Sequence, residues 1–86
     1  MEKYDYIFRW LKNASKPERH IDEMEQFAKK HPVIFMKFHT KSKGIVENDV
    51  NDPEYAKAKE ELTELFVKHE EEFKPVFEAV KNKFKY

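Results

Sequence analysis

His69 is followed at once by Glu70, Glu71 and Glu72. An imidazole among carboxylates on a bundle helix can ligate iron or zinc. Here the set is incomplete. Only Glu72 and Phe73 fall on the histidine's side one turn later, and no facing Glu-x-x-His pair completes a site. His20 and His31 stand eleven residues apart, about 16 Å along one helix, too far to share an ion. His39 lies near Lys37 and Lys41, which repel a cation. Thr40, Ser42 and Thr63 offer hydroxyls, but nothing sets them beside a base and an orienting carboxylate. With one glycine in the chain there is no phosphate-cradling loop or dinucleotide fingerprint. These residues predict no catalytic group, no metal and no cofactor, so the expected activity is not enzymatic.

Two other groupings can recognise a macromolecule. Lys37, Lys41 and Lys43 form the most basic short stretch, with Phe35 and Phe38 interleaved and Lys12 as a neighbour. Lysines can meet phosphates while a ring stacks on a base. Against this, Glu18, Asp22, Glu23 and Glu25 line the element that would read a groove, and carboxylates are repelled there. Tyr6 and Trp10 lie one turn apart and fall outside the inner face of the first helix. With Arg9 between them and Phe38 beyond, they resemble the aromatic centre of a protein interface. The competing reading is that both rings are buried as a second layer of packing.

The elements that must position these residues follow from periodicity. Tyr4, Ile7, Phe8 and Leu11 predict a first helix over 2–14. Ser15-Lys16-Pro17-Glu18 has the spacing of a capping box with a first-turn proline, and predicts a second helix over 16–30. Its apolar side is Ile21, Met24, Phe27 and Ala28, and Pro32 closes it. Residues 33–40 suit either a helix opened by Pro32 or a strand pairing with Ile45 and Val46 across a 41–44 turn. Asp52-Pro53-Glu54 caps the last element. From there Tyr55, Ala58, Leu62, Leu65, Phe66, Phe73, Val76, Phe77 and Val80 hold one helical phase across Pro75. That predicts one long helix over 53–84, kinked where Pro75 meets the Glu71 carbonyl, or else two helices meeting near residues 70–75. Tyr86 is expected to fray. The expected architecture is therefore all-α, a single domain over 1–86 with three to four helices.

Composition narrows the class. Lysine plus arginine and aspartate plus glutamate each number 17, and there is no cysteine. Residues 1–51 carry ten basic and eight acidic side chains, and residues 52–86 carry seven and nine. Neither half has the excess of a dedicated nucleic-acid binder or membrane anchor. No apolar run approaches a membrane span, and the first residues lack a signal-peptide pattern. The eight Phe, four Tyr and one Trp compensate for a small core that no disulfide staples. A homodimer would cover the long stripe as well as the rest of the chain does. The reading is a small cytoplasmic regulatory, inhibitory or adaptor protein that binds another protein through Tyr6, Arg9, Trp10 and Phe38. Its size and Lys/Glu content suit a bacterial or phage accessory protein. The alternative is a nucleic-acid-binding accessory protein using Lys12, Lys37, Lys41 and Lys43.

Overall fold

The computed structural model describes residues 3–84, and the expectations for Glu2 and Tyr86 lie outside them. The described residues form six helices, not three to four: α1 (Asp5–Asn13), α2 (Lys16–Arg19), α3 (Asp22–Lys30), α4 (Pro32–Glu47), α5 (Pro53–Lys68) and α6 (Glu70–Phe84). The all-α class stands, and the helix count and the single long C-terminal helix are corrected.

Two breaks account for the difference. The element expected over 16–30 stops at Arg19. His20 and Ile21 are extended, and Ile21 turns into the core at 7% exposure. Arg19 holds the short α2 in place by donating to the carbonyls of Leu11 (3.1 Å) and Ala14 (2.9 Å) at the end of α1. Ser15 does not cap the backbone. Its hydroxyl donates instead to the Glu18 carboxylate at 2.6 Å. The second break falls at His69, whose φ of −120° and ψ of 36° end α5. Pro75 sits inside α6. In an unbroken helix the backbones of Phe66 and Phe77 would stand about 16 Å apart, yet their ring centres are 5.1 Å apart. The chain therefore bends back on itself at His69.

Residues 33–40 are helical, and α4 continues through the segment expected to turn. Gly44 explains how. A Cβ there would lie 2.6 Å from the Ala58 Cβ, so the missing side chain lets α4 lie against α5. Asn48 caps this end by donating to the Gly44 carbonyl at 3.0 Å. The expected cap at Asp52 is present, with its carboxylate accepting from the Glu54 N–H at 2.9 Å.

The long stripe is covered within one chain. Leu62, Phe66, Phe73 and Val80 are each 0% exposed. α4 packs on α1, α3 and α5, and α6 packs on α1 and α3. Phe66 is the hub, with the rings of Tyr4, Phe8, Phe38, Phe73 and Phe77 around it. No helix among the described residues is long and apolar enough to cross a membrane.

Polar ties close the ends of this packing. Glu70 accepts from Lys3 and from the Tyr4 hydroxyl (2.7 Å), and these bonds hold its carboxyl below the usual range. Glu23 accepts from Lys83 at 3.1 Å and is also lowered, first by a backbone hydrogen bond and then by that lysine. Burial, and then the hydrogen bond to Glu70, pushes the Tyr4 hydroxyl up to about 12. The linkage follows from these directions. The two depressed carboxylates contribute stability above the ordinary carboxylate range, and it is lost as pH falls through their folded-state values. The raised Tyr4 contributes fully below 10 and its share is lost as pH rises toward 12. The urea midpoint of the native chain should therefore fall more steeply than that of Tyr4→Phe between pH 10 and 12. Parallel curves would contradict the burial of that hydroxyl.

Candidate functional site

The site is built on α4, which crosses the molecule with two different sides free of its buried edge. One side carries Phe35, His39, Ser42, Lys43, Val46 and Glu47, all lining one cleft. From Phe35 to Val46 is about 16 Å of helix, three turns. The cleft has a volume of about 270 Å³, and α1, α2 and the start of α3 close its other sides.

Its floor is apolar. Trp10, Leu11, Met24 and Phe38 form it, and all four are at most 8% exposed. Trp10 is held there by two contacts. Its indole N–H donates to the Glu18 carbonyl at 3.2 Å, and its ring stacks on Phe84 at 6.2 Å. Phe35 and Val46 are half-buried and form the upper walls. The Phe35 ring stacks on His39 at 6.0 Å, which fixes the lip at that end. The Ser42 hydroxyl donates its hydrogen to the His39 carbonyl at 2.9 Å.

The rim has one dominant sign. α2 and its cap contribute Lys16, Arg19 and His20, and α4 contributes His39 and Lys43. Glu47 is the one carboxylate lining the cleft. An apolar trough edged by N–H donors can bury hydrophobic side chains while it pairs carboxylates.

The residues expected to meet a protein do not share one exposed patch. Trp10 is 1% exposed and Phe38 is 6% exposed. Both are core side chains that also floor the cleft. Trp10 lies off the Tyr4/Ile7/Phe8/Leu11 face, yet α2 and Phe84 supply a second layer that covers it, as the competing reading has it. Tyr6 is half-buried against the core, and burial raises its hydroxyl above the ordinary range. Arg9 is exposed and pairs with Asp5 at 3.4 Å.

The four lysines of the nucleic-acid alternative are dispersed. Lys12 donates to the Asn48 carbonyl, and its ammonium lies 5.9 Å from the centre of the Tyr55 ring. Lys37 and Lys41 line an open groove with Glu61, Glu64, Leu65 and Lys68, and Lys41 pairs with Glu61 at 3.7 Å. Lys43 is about 120° around the helix from Lys37 and faces the cleft instead.

Sequence reasoning missed Lys16, Arg19, His20 and Val46. The signal was available in part. Phe35, His39, Ser42 and Val46 repeat at helical spacing, which becomes visible once Gly44 is read as helical. The α2 residues carry no such signal, because only the break at His20 turns them toward α4.

The histidines singled out from the sequence lie apart from the cleft floor. His69 Nδ1 lies 3.5 Å from the Glu72 carboxylate, an ordinary pair one turn apart. Among the described residues no three His, Asp or Glu side chains converge as a metal cluster would require. His20 and His31 belong to different elements, one ending α2 and the other joining α3 to α4.

These features define a six-helix domain with a cleft of apolar floor and basic rim. Compared with protein-family models, curated proteins and solved structures, the chain matches none.

Proposed function

We propose that the chain is a small regulatory or adaptor protein that binds a segment of another protein in the cleft between α1, α2 and α4. The observation that carries this reading is the combination of an apolar floor with a rim of nearly one sign on the same 270 Å³ recess. Side chains entering it would leave water, at about 25 cal/mol per Å² of apolar area. Rim charges would select and orient the segment. In this reading Trp10 and Phe38 serve as the floor that receives an anchor, not as the exposed contacts expected from the sequence.

A peptide-display library panned against the folded chain tests the reading. Enriched peptides should bind the native chain and lose about tenfold or more in affinity for Val46→Asp, since a carboxylate placed on the upper wall must be desolvated by an incoming apolar anchor. Helical circular dichroism confirms that the variant stays folded. Binding unaffected by Val46→Asp, or a library that yields no binder, would contradict the reading.

A further inference from the structure

We infer that the segment this cleft takes is an acidic amphipathic helix with apolar anchors at i, i+4 and i+7. The inference rests on the cleft being a protein-binding site, and it names the chemistry of the partner.

Three observations carry it. The first is charge. Lys16 and Lys43 are exposed on opposite lips and have no ion-pair partner among the described residues. Arg19 adds its charge from a fixed position, because its Nη1 donates to the carbonyls of Leu11 and Ala14. Only Glu47 opposes them. Two ammonium groups without an ion-pair partner line the same trough, and a carboxylate on a bound segment can pair with either.

The second observation is length. The α4 wall runs about 16 Å, whereas anchors at i and i+7 of a helix span about 10 Å. A helix laid along α4 therefore reaches the floor with its anchors inside the cleft and its flanks beside Lys16 and Lys43. The third is size. A recess of about 270 Å³ falls just under the range of about 300–1,000 Å³ usual for drug-sized ligands. It suits a few side chains better than a whole organic molecule. The single carboxylate also gives a direction, since a basic residue of the bound helix belongs at the Glu47 end.

The test uses labelled synthetic helical peptides and fluorescence anisotropy with the full chain. One peptide carries leucines at i, i+4 and i+7 among glutamates. Its twin has lysines in place of the glutamates, and a third keeps the glutamates but has serines for leucines. The acidic leucine peptide should bind about tenfold or more tightly than either control, and its affinity should fall with salt. The double variant Lys16→Glu/Lys43→Glu, checked for unchanged helical circular dichroism, should reverse the preference between the first two peptides. Equal binding of the acidic and basic leucine peptides would overturn the inference, while library binders that still depend on Val46 would leave the cleft reading intact. Equal binding of the serine peptide would overturn the role of the anchors. Tight binding of laurate with no binding of the acidic leucine peptide would assign the cleft to a fatty carboxylate and overturn the inference as well.

Discussion

Phe66→Ala is expected to lower the free energy of unfolding by about 3–5 kcal/mol. The ring is 0% exposed and meets aromatic side chains from three other helices, α1, α4 and α6, and from Tyr4 at the start of α1. Centroid separations are 5.2 Å to Tyr4, 6.0 Å to Phe8, 6.0 Å to Phe38, and 5.1 Å to both Phe73 and Phe77. Those neighbours are themselves packed against one another, with Phe73 stacked on Phe77 at 5.5 Å and on Phe27 at 4.4 Å. They cannot all collapse inward, so most of the cavity would persist, and its cost adds to the lost transfer energy. Small domains hold only about 5–15 kcal/mol in total, so this one change consumes a large fraction. Urea titration followed by helical circular dichroism reads the loss. Phe66→Leu, expected to cost about 1–3 kcal/mol, keeps the comparison measurable should the alanine variant not fold. A loss under about 1 kcal/mol for Phe66→Ala would contradict the packing described, because such values belong to sites outside the core.

Gly44→Ala is expected to destabilise the protein although alanine is the better helix former. Helix propensity favours the change by about 1 kcal/mol. The opposing effect is steric. The new Cβ would sit 2.6 Å from the Ala58 Cβ, with the Glu54 carbonyl oxygen at 3.8 Å. Neither methyl has a rotamer to change, so α4 and α5 must separate along the face they share. Overpacking of this kind costs about 1–3 kcal/mol, and here the shift spreads along two 16-residue helices. The net result should be a loss of about 1–2 kcal/mol. Ala58→Gly in the same chain should recover most of it by returning the space. That recovery separates a clash from any effect on the unfolded chain, because Ala58→Gly alone must be destabilising. A gain in stability for Gly44→Ala would show that the two helices do not approach as described.

The faces of the helices were legible in the sequence, but their ends were only partly so. Tyr4, Ile7, Phe8 and Leu11 gave the inner side of α1, and Asp52-Pro53 gave the start of α5, because both signals are local. The break at His69 has no local signal. Neither glycine nor proline marks it, and the apolar stripe keeps its phase because α5 and α6 bury against one core from either side of a bend. Phase reports which side of each helix is buried and is silent on whether two helices are collinear. Pro75 drew attention to the wrong residue. It lies inside α6, which runs on to Phe84. Gly44 misled in the opposite way, since a lone glycine after lysines reads as a turn until Ala58 is seen across from it.

The candidate site was legible to a similar degree. Trp10 and Phe38 were singled out by type and spacing, and both floor the cleft. Their depth could not be read, because it depends on Phe84 and α2 arriving from elsewhere in the chain. Lys37, Lys41 and Lys43 look like one patch in sequence, but helical geometry sends Lys43 to the cleft and leaves the other two beside Glu61 and Glu64. The rim from α2 depends on the extended backbone at His20 and Ile21, which no pattern in the sequence announced.

The central claim is that a partner segment enters between α2 and α4. Amide chemical-shift mapping of the isotope-labelled chain during titration with a library-selected peptide tests it most directly. The largest shifts should fall on Phe35, His39, Lys43 and Val46 of α4, on Lys16 to His20, and on the Trp10 indole N–H, while Lys37, Lys41 and the Glu61–Lys68 side stay unchanged. Shifts centred on that second side, with the Trp10 indole unmoved, would contradict it.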